Sequence, residues 1–272
     1  MSFAFRASVW LGVSIAFAAL EIQASPLDLA KRSAELVRLH DRASWLDLYG
    51  SRATIEDPVG TVVHEKEAER LNLETFWEVF IAPNEIVFES HFDLDRPDIA
   101  IRDVTIHTKS PSGLLLDVPA FVMYRPHPQN PSQVASMRAF WEVKDQFRKA
   151  KAAGELGTQT SNAMLKRIFH FEGLPGLLGF AKGFFAPVKS RRETIWELFG
   201  AEESVRERDV PFSLNGVRVD ESVLESGGTL TLGKILVSGP EAIARISVGQ
   251  REGFLQVTFG AGRSIRSVDF FF

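Results

Sequence analysis

Cysteine is absent from this 272-residue chain. Disulfides, thiolate metal sites, a cysteine nucleophile and a lipid-modified cysteine anchor are therefore excluded. Tyrosine is scarce as well, with two residues against 22 phenylalanines. Most of the aromatic surface thus has no hydroxyl and belongs in deep apolar packing or a greasy cavity. There is no excess of basic charge: the formal net charge is −4, which leaves no electrostatic footprint for nucleic acid. No glycine-rich loop sits between a strand and a helix to cradle phosphate, and no nucleophile elbow is present. The six histidines lack the spacing of a metal site, so neither a metal nor a cofactor is expected.

What is present begins with the amino terminus. Arg6 precedes an uncharged apolar run from Ala7 to Leu20, then Glu21 and a small-residue site at Ala24-Ser25. That order matches a secretory signal peptide, and the run is shorter than the roughly 20 residues of a membrane span. Residues 1–25 are set outside the fold. Export to a periplasmic or extracellular location is the expectation, with a cytoplasmic location as the alternative.

The rest of the chain reads as α+β. Pro26 to His40 has helical spacing, with Leu27, Ala30, Ala34 and Val37 on one stripe. A short helix follows from Asp41, then a strand through Ala53 and Ile55, then a third helix within Glu65 to Ile81. Four strands come next, Glu85–Phe92, Asp98–Thr108, Leu114–Arg125 and Gln133–Val143, separated by proline- and glycine-bearing turns. Helices followed by a long meander predict a curved antiparallel sheet wrapped around helices as a cone, spanning residues 26–145. Residues 146–189 read as a helical connector. Its glycine-punctuated stretch from Gly173 to Phe185 is either a buried cap or a membrane-surface helix with Lys166, Arg167 and Lys182 as headgroup contacts. From 190 to 272 a helix and four strands repeat the plan as a second, shortened unit.

The most informative stretch is Ala53-Thr-Ile-Glu-Asp-Pro-Val-Gly-Thr61. Pro58 cannot donate to a ladder and holds the residue before it extended, so Asp57 overhangs the end of its strand. Together with Asp41-x-x-x-Trp-x-x-Leu-Tyr49, and with Ser136-Met-Arg-Ala-Phe-Trp-Glu-Val143, this pattern resembles the ketosteroid-isomerase-like, SnoaL-like branch of the nuclear-transport-factor-two-like superfamily. The resemblance covers about Leu27 to Val143. It implies a cone with an apolar cavity, and it implies that Asp57 is the general base moving a proton between two carbons of an enone. The family's two oxyanion donors are a tyrosine and a protonated aspartate. The register of the resemblance puts Ser33 and Phe121 at those positions, so efficient steroid isomerisation is not expected.

Counting strand faces from Leu116 across the Ser110–Gly113 turn places Asp103, Thr105 and His107 on one face of their strand, which the resemblance implies is the cavity face. A slip of one residue would put Asp103 outside and Arg102 inside. On the same reading Phe121, Met123, Met137 and Trp141 floor the cavity, with Tyr49 and Trp77 as further ligand contacts. Asp57 and Asp103 would then be the acid pair, one of them kept neutral by burial. The expected function is binding of an apolar molecule of steroid, terpene or polyketide size, with Asp57-assisted proton transfer. The alternatives are a non-enzymatic lipid carrier or scaffold, and an epoxide-opening carboxylate pair. Partner expectations are an apolar small molecule, no nucleic acid, membrane-surface contact through the connector, and a homodimer or cone-to-cone packing within the chain.

Overall fold

The structure, a computed structural model, describes residues 24–199, 210–219, 229–262 and 264–272. The expected export segment lies outside these residues except for its last two positions.

Helix α1 (Pro26–Arg38) starts at a capping box: the Ser25 hydroxyl accepts from Asp28 N–H, and Asp28 accepts from Ser25 N–H. Its inward stripe is Leu29, Ala30, Ser33, Leu36 and Val37. That is one residue around from the predicted stripe, so Ser33 rather than Ala34 faces the core. Asp41 caps α2 (Arg42–Leu48), which buries Trp45 and Leu48 and runs straight into β1 (Tyr49–Glu56). The Asp57–Pro58 peptide is cis. The predicted third helix is shorter than its sequence window. β2 (Val63–Glu65) occupies its start, and α3 (Leu73–Phe76) begins only where Asn72 and Thr75 form a second capping box. A π-helical turn, Trp77–Ile81, continues it.

Four long strands follow: β3 (Glu85–Arg96), β4 (Ile99–Lys109), β5 (Leu115–His127) and β6 (Asn130–Phe140). The sheet order is β2-β1-β6-β5-β4-β3, antiparallel throughout except for the parallel β1–β6 pair. Its concave face packs Ile55, Val104, Ala120, Val122 and Ala139 against Leu29, Trp45 and Phe76 of the helices.

The connector consists of α4 (Val143–Ala152), α5 (Glu155–Lys182, kinked at Gly173, φ 70°) and a 3-10 turn, Gly183–Phe185. No helix among the described residues is long and apolar enough to cross a membrane. α6 (Val188–Phe199) opens the second unit. Its strands are β7 (Phe212–Leu214), β8 (Val217–Val219), β9 (Leu230–Ser238), β10 (Glu241–Val248), β11 (Arg251–Phe259) and β12 (Ile265–Phe271). Their order, β8-β7-β12-β11-β10-β9, reproduces the first sheet strand for strand, again with one parallel pair, β7–β12. Ile195 and Leu198 of α6 fill the concave side of this sheet.

The two sheets pack through their convex faces. Ile99, Ile101, Phe121, Met123 and Phe140 meet Leu236, Ile243, Phe254 and Phe271. Charges stitch the edges of this layer. Arg138 bonds Glu56 at 3.0 Å and grips Glu241 through two nitrogens at 2.7 and 3.1 Å. Intramolecular packing of two cone-like units is thus what the fold shows.

Candidate functional site

Asp57 lies where β1 ends and the chain turns toward β2. The Trp141 indole N–H, just past β6, donates to its Oδ1. The carboxylate opens onto a partly open cavity of about 180 Å³ between the concave sheet face and α4–α5. Ile106, Leu116 and Val118 of the sheet form one wall, while Phe147 and Met164 of the connector roof it. Asp57 is the single carboxylate among the described lining residues. Burial pushes its pKa up to about 6, a rise that the Trp141 hydrogen bond and the nearby His64 partly offset.

Behind Asp57 the chain's two tyrosines converge. The Ser33 hydroxyl pairs with the Tyr49 phenol at 3.2 Å and accepts from Trp45 Nε1 at 3.1 Å. Burial raises the pKa of both Tyr49 and Tyr124, and the charge on Asp57 raises each further. Both phenols are therefore held neutral. Trp77 packs in the same aromatic layer, its ring tilted 51° to that of Trp45 at 5.2 Å. Ser33, Tyr49 and Trp77 support Asp57 from the core; they do not line the cavity. Met137 faces the same side, buried in that core.

Four predicted site residues lie elsewhere. β4 pairs with β5 so that Asp103 is opposite Phe121, Ile101 opposite Met123 and His107 opposite Asp117. The inward set is instead Ala100, Val104 and Ile106, with Val118, Ala120, Val122 and Tyr124 on β5. The alternate register is the correct one. Asp103 belongs to the interface between the sheets, bonded by Lys234 and 3.7 Å from Arg245. Phe121 and Met123 are buried in the same layer. His107 is a surface residue between Asp117 and Glu89, at 2.8 and 3.0 Å, and these hydrogen bonds raise its pKa. Asp57 and Asp103 therefore form no acid pair, and the epoxide-opening reading falls with them. The phase was lost because both faces of β4 and β5 are buried, so alternation does not mark which side is the cavity.

Two features of the site were missed. His64 on β2 faces Glu172 on α5 at 2.9 Å, each about 1% exposed, and His64 Nδ1 has no partner. This pair ties the roof to the cone beside Asp57. Gln146 on α4 lines the cavity at 7% exposure, and its Oε1 is buried without a partner. Among the described residues no group of three or more His, Asp or Glu side chains could hold a metal ion. A larger, open groove of about 1330 Å³ runs between α4–α6 and the second sheet. It is an open cleft edged by paired charges such as Arg192–Glu142, whereas the cavity at Asp57 is smaller and more apolar.

No family model matches the sequence, and no curated protein is similar to it. Solved structures are. RV0760c from Mycobacterium tuberculosis, in complex with estradiol-17beta-hemisuccinate, is 26% identical over 45% of this chain and 97% of its own, with a TM-score of 0.40. A Delta 5-3-ketosteroid isomerase from Mycobacterium sp. is 21% identical over 45% and 96%, at 0.38. A SnoaL-like protein from Shewanella denitrificans is 13% identical over 46% and 97%, at 0.39. Over that part of its length, the chain is similar to ketosteroid-isomerase and SnoaL-like structures.

Proposed function

We propose that this protein binds a small apolar molecule bearing one polar group in the Asp57 cavity, and that Asp57 moves a proton on it. The observation behind this reading is a lone carboxylate with its pKa raised to about 6 by burial, held by Trp141 in a largely apolar chamber. A base with a pKa just below the working pH is ionised yet basic enough to take a proton. In the reaction, a C–H bond beside a carbonyl breaks, its proton goes to Asp57, and the electron pair moves to the carbonyl oxygen as an enolate. Asp57 then returns the proton to the same carbon or to its conjugated neighbour.

Stabilisation of the enolate is weak in this site. Ser33 is engaged with Trp45 and Tyr49, and the nearby inward residues of β5, Val118, Ala120 and Val122, are apolar. The unpaired polar atom of the lining, Gln146 Oε1, accepts only, so it suits a hydroxyl or N–H of a ligand and does not stabilise an enolate oxygen. Loss of one oxyanion donor costs on the order of a hundredfold in rate, so turnover is slow. The volume of about 180 Å³ is below the roughly 300–1,000 Å³ of pockets for drug-sized ligands. The ligand is accordingly at the monoterpene end of the range rather than a steroid.

Carvone and limonene test the reading, since they share a ring skeleton and only carvone has the enone. Binding is read by quenching of Trp141, and proton transfer by deuterium exchange into carvone in heavy water. Carvone should bind and exchange. Asp57→Asn should keep binding and lose exchange by about a hundredfold or more. Binding without exchange above buffer would make the site a carrier. Failure of both ligands to bind would sink the proposal.

A further inference from the structure

The second half of α5 has two faces of opposite character. At 100° per residue, Gly176, Gly179 and Phe180 point one way and Leu174 and Leu178 the other, and in the 3-10 turn that follows Gly183 is buried and Phe185 exposed. The glycine face is pressed against the cone. A Cβ on Gly179 would lie 2.4 Å from Val62, and one on Gly183 would lie 2.5 Å from Val143. Phe180 is buried there with Ile168 and Val79. The opposite face is uncovered: Leu174, Leu178 and Phe185 are 56%, 58% and 83% exposed, and Phe169, before the kink, is 59% exposed. Neighbouring large apolar side chains on one helix, left in water, mark a surface that meets something apolar.

Charge decides what that is. From Leu156 to Arg192 the chain has one acidic residue, Glu172, and it is buried against His64. The exposed cations Lys166 and Lys182 sit on the same helix as the apolar face. A protein of net charge −4 thus presents one segment that is apolar, basic and without exposed acids. A second copy of the chain or an ordinary protein partner would not require acids to be excluded over so long a stretch. An anionic lipid surface would, because each carboxylate facing it repels the headgroups while lysines attract them.

We propose that α5 docks this protein on bilayers containing anionic phospholipid, with Phe169, Leu174, Leu178 and Phe185 entering the headgroup–acyl boundary and Lys166 and Lys182 contacting phosphates. The first half of the same helix lines the Asp57 cavity through Thr160, Ser161, Met164 and Arg167, so docking brings the chamber near the phase in which an apolar ligand dissolves.

The absence of cysteine makes a site-specific test direct. Leu178→Cys, labelled with an environment-sensitive fluorophore in the full chain, should shift to the blue on phosphatidylglycerol-containing vesicles and be quenched by spin-labelled acyl chains. It should respond weakly on pure phosphatidylcholine. Val217→Cys, at a position 67% exposed in the second unit, should respond to neither. Replacing Lys166 and Lys182 with Gln should weaken the Leu178 response several-fold, and 0.5 M salt should do the same. A Leu178 label that stays in water on every vesicle overturns the proposal. So does a response equal to that at Val217, which would reflect binding through another segment. Burial of the label that depends on protein concentration without vesicles would assign the face to a second copy instead.

Discussion

Gly60 and Gly239 meet backbone to backbone, one in the turn after Asp57 and the other in the β9–β10 turn. Both have positive φ, 83° and 53°, and a Cβ on either would come within 2.3 Å of the other's Cα. Ser238 beside them donates to the Val59 carbonyl at 2.8 Å. One turn therefore aims Asp57 into the cavity on one side and clamps the second unit on the other.

Gly239→Ala should destabilise the protein by about 2 kcal/mol or more, since it meets both backbone strain and a clash that no side chain can relieve. Thermal unfolding reads the cost. A melting temperature unchanged within a degree would mean the two turns part easily, and that the clamp is not an element of stability.

The raised pKa of Asp57 predicts an inverse effect on stability at the same site. Between about pH 4 and 6 the folded state holds a proton that the unfolded chain releases, so stability falls as pH rises through this window. Above pH 6 the ionised, desolvated carboxylate is a standing cost. Asp57→Asn keeps the Trp141 hydrogen bond and removes that cost. It should match wild type near pH 4 and exceed it by about 1–2 kcal/mol at pH 8, the two-unit shift being discounted for partial access to water. Urea titrations at the two pH values compare them, and a variant less stable at pH 8 would contradict a desolvated Asp57.

Asp103 gives the complementary case. Its partners are Lys234 and Arg245 across the sheet interface, so Asp103→Asn should cost stability and leave carvone exchange within about twofold of wild type. A hundredfold loss of exchange with normal stability would return Asp103 to the catalytic site.

The His64–Glu172 pair should behave as a unit. Either residue changed singly to Leu leaves a buried polar partner stranded, at about 3 kcal/mol. The double change should recover much of that, because two apolar side chains suit a site walled by Phe76 and Phe80. Hydrogen exchange should loosen first in α5 in the single variants. Simple additivity in the double-mutant cycle would show that the two residues are not coupled.

Much of this architecture was legible from turn chemistry. The strand order of the meander follows from its proline- and glycine-bearing connections, and Asp57 stood out because Pro58 stops its strand. What escaped notice has physical causes. The phase of β4 and β5 was hidden because Ile101 and Val104 are both fully buried, one against the second sheet and one under the helices. β7 and β8 have three residues each, too few for any periodicity. Asn72 caps a helix that begins only at Leu73, well inside the Glu65–Ile81 window, because its capping box rather than the apolar spacing sets the start. The His64–Glu172 pair spans 108 residues, and no local pattern records a contact of that range. Ser33 was placed inward by the resemblance, but its hold on Tyr49 and Trp45 is a property of the packed core.

The matching strand order of the two sheets has one more consequence, for stoichiometry. A symmetric pair of cones must hold two equal chambers, so its ligands can influence one another across the shared sheets. Here β7 and β8 are joined by the two-residue Asn215–Gly216 turn, and α6 fills the concavity of the second sheet. Among the described residues the second half keeps the mating face, and side chains of α6 occupy the concave side of its sheet. Each chain should therefore take up one ligand with a hyperbolic isotherm, and its silent half serves as a permanent partner that cannot dissociate on dilution.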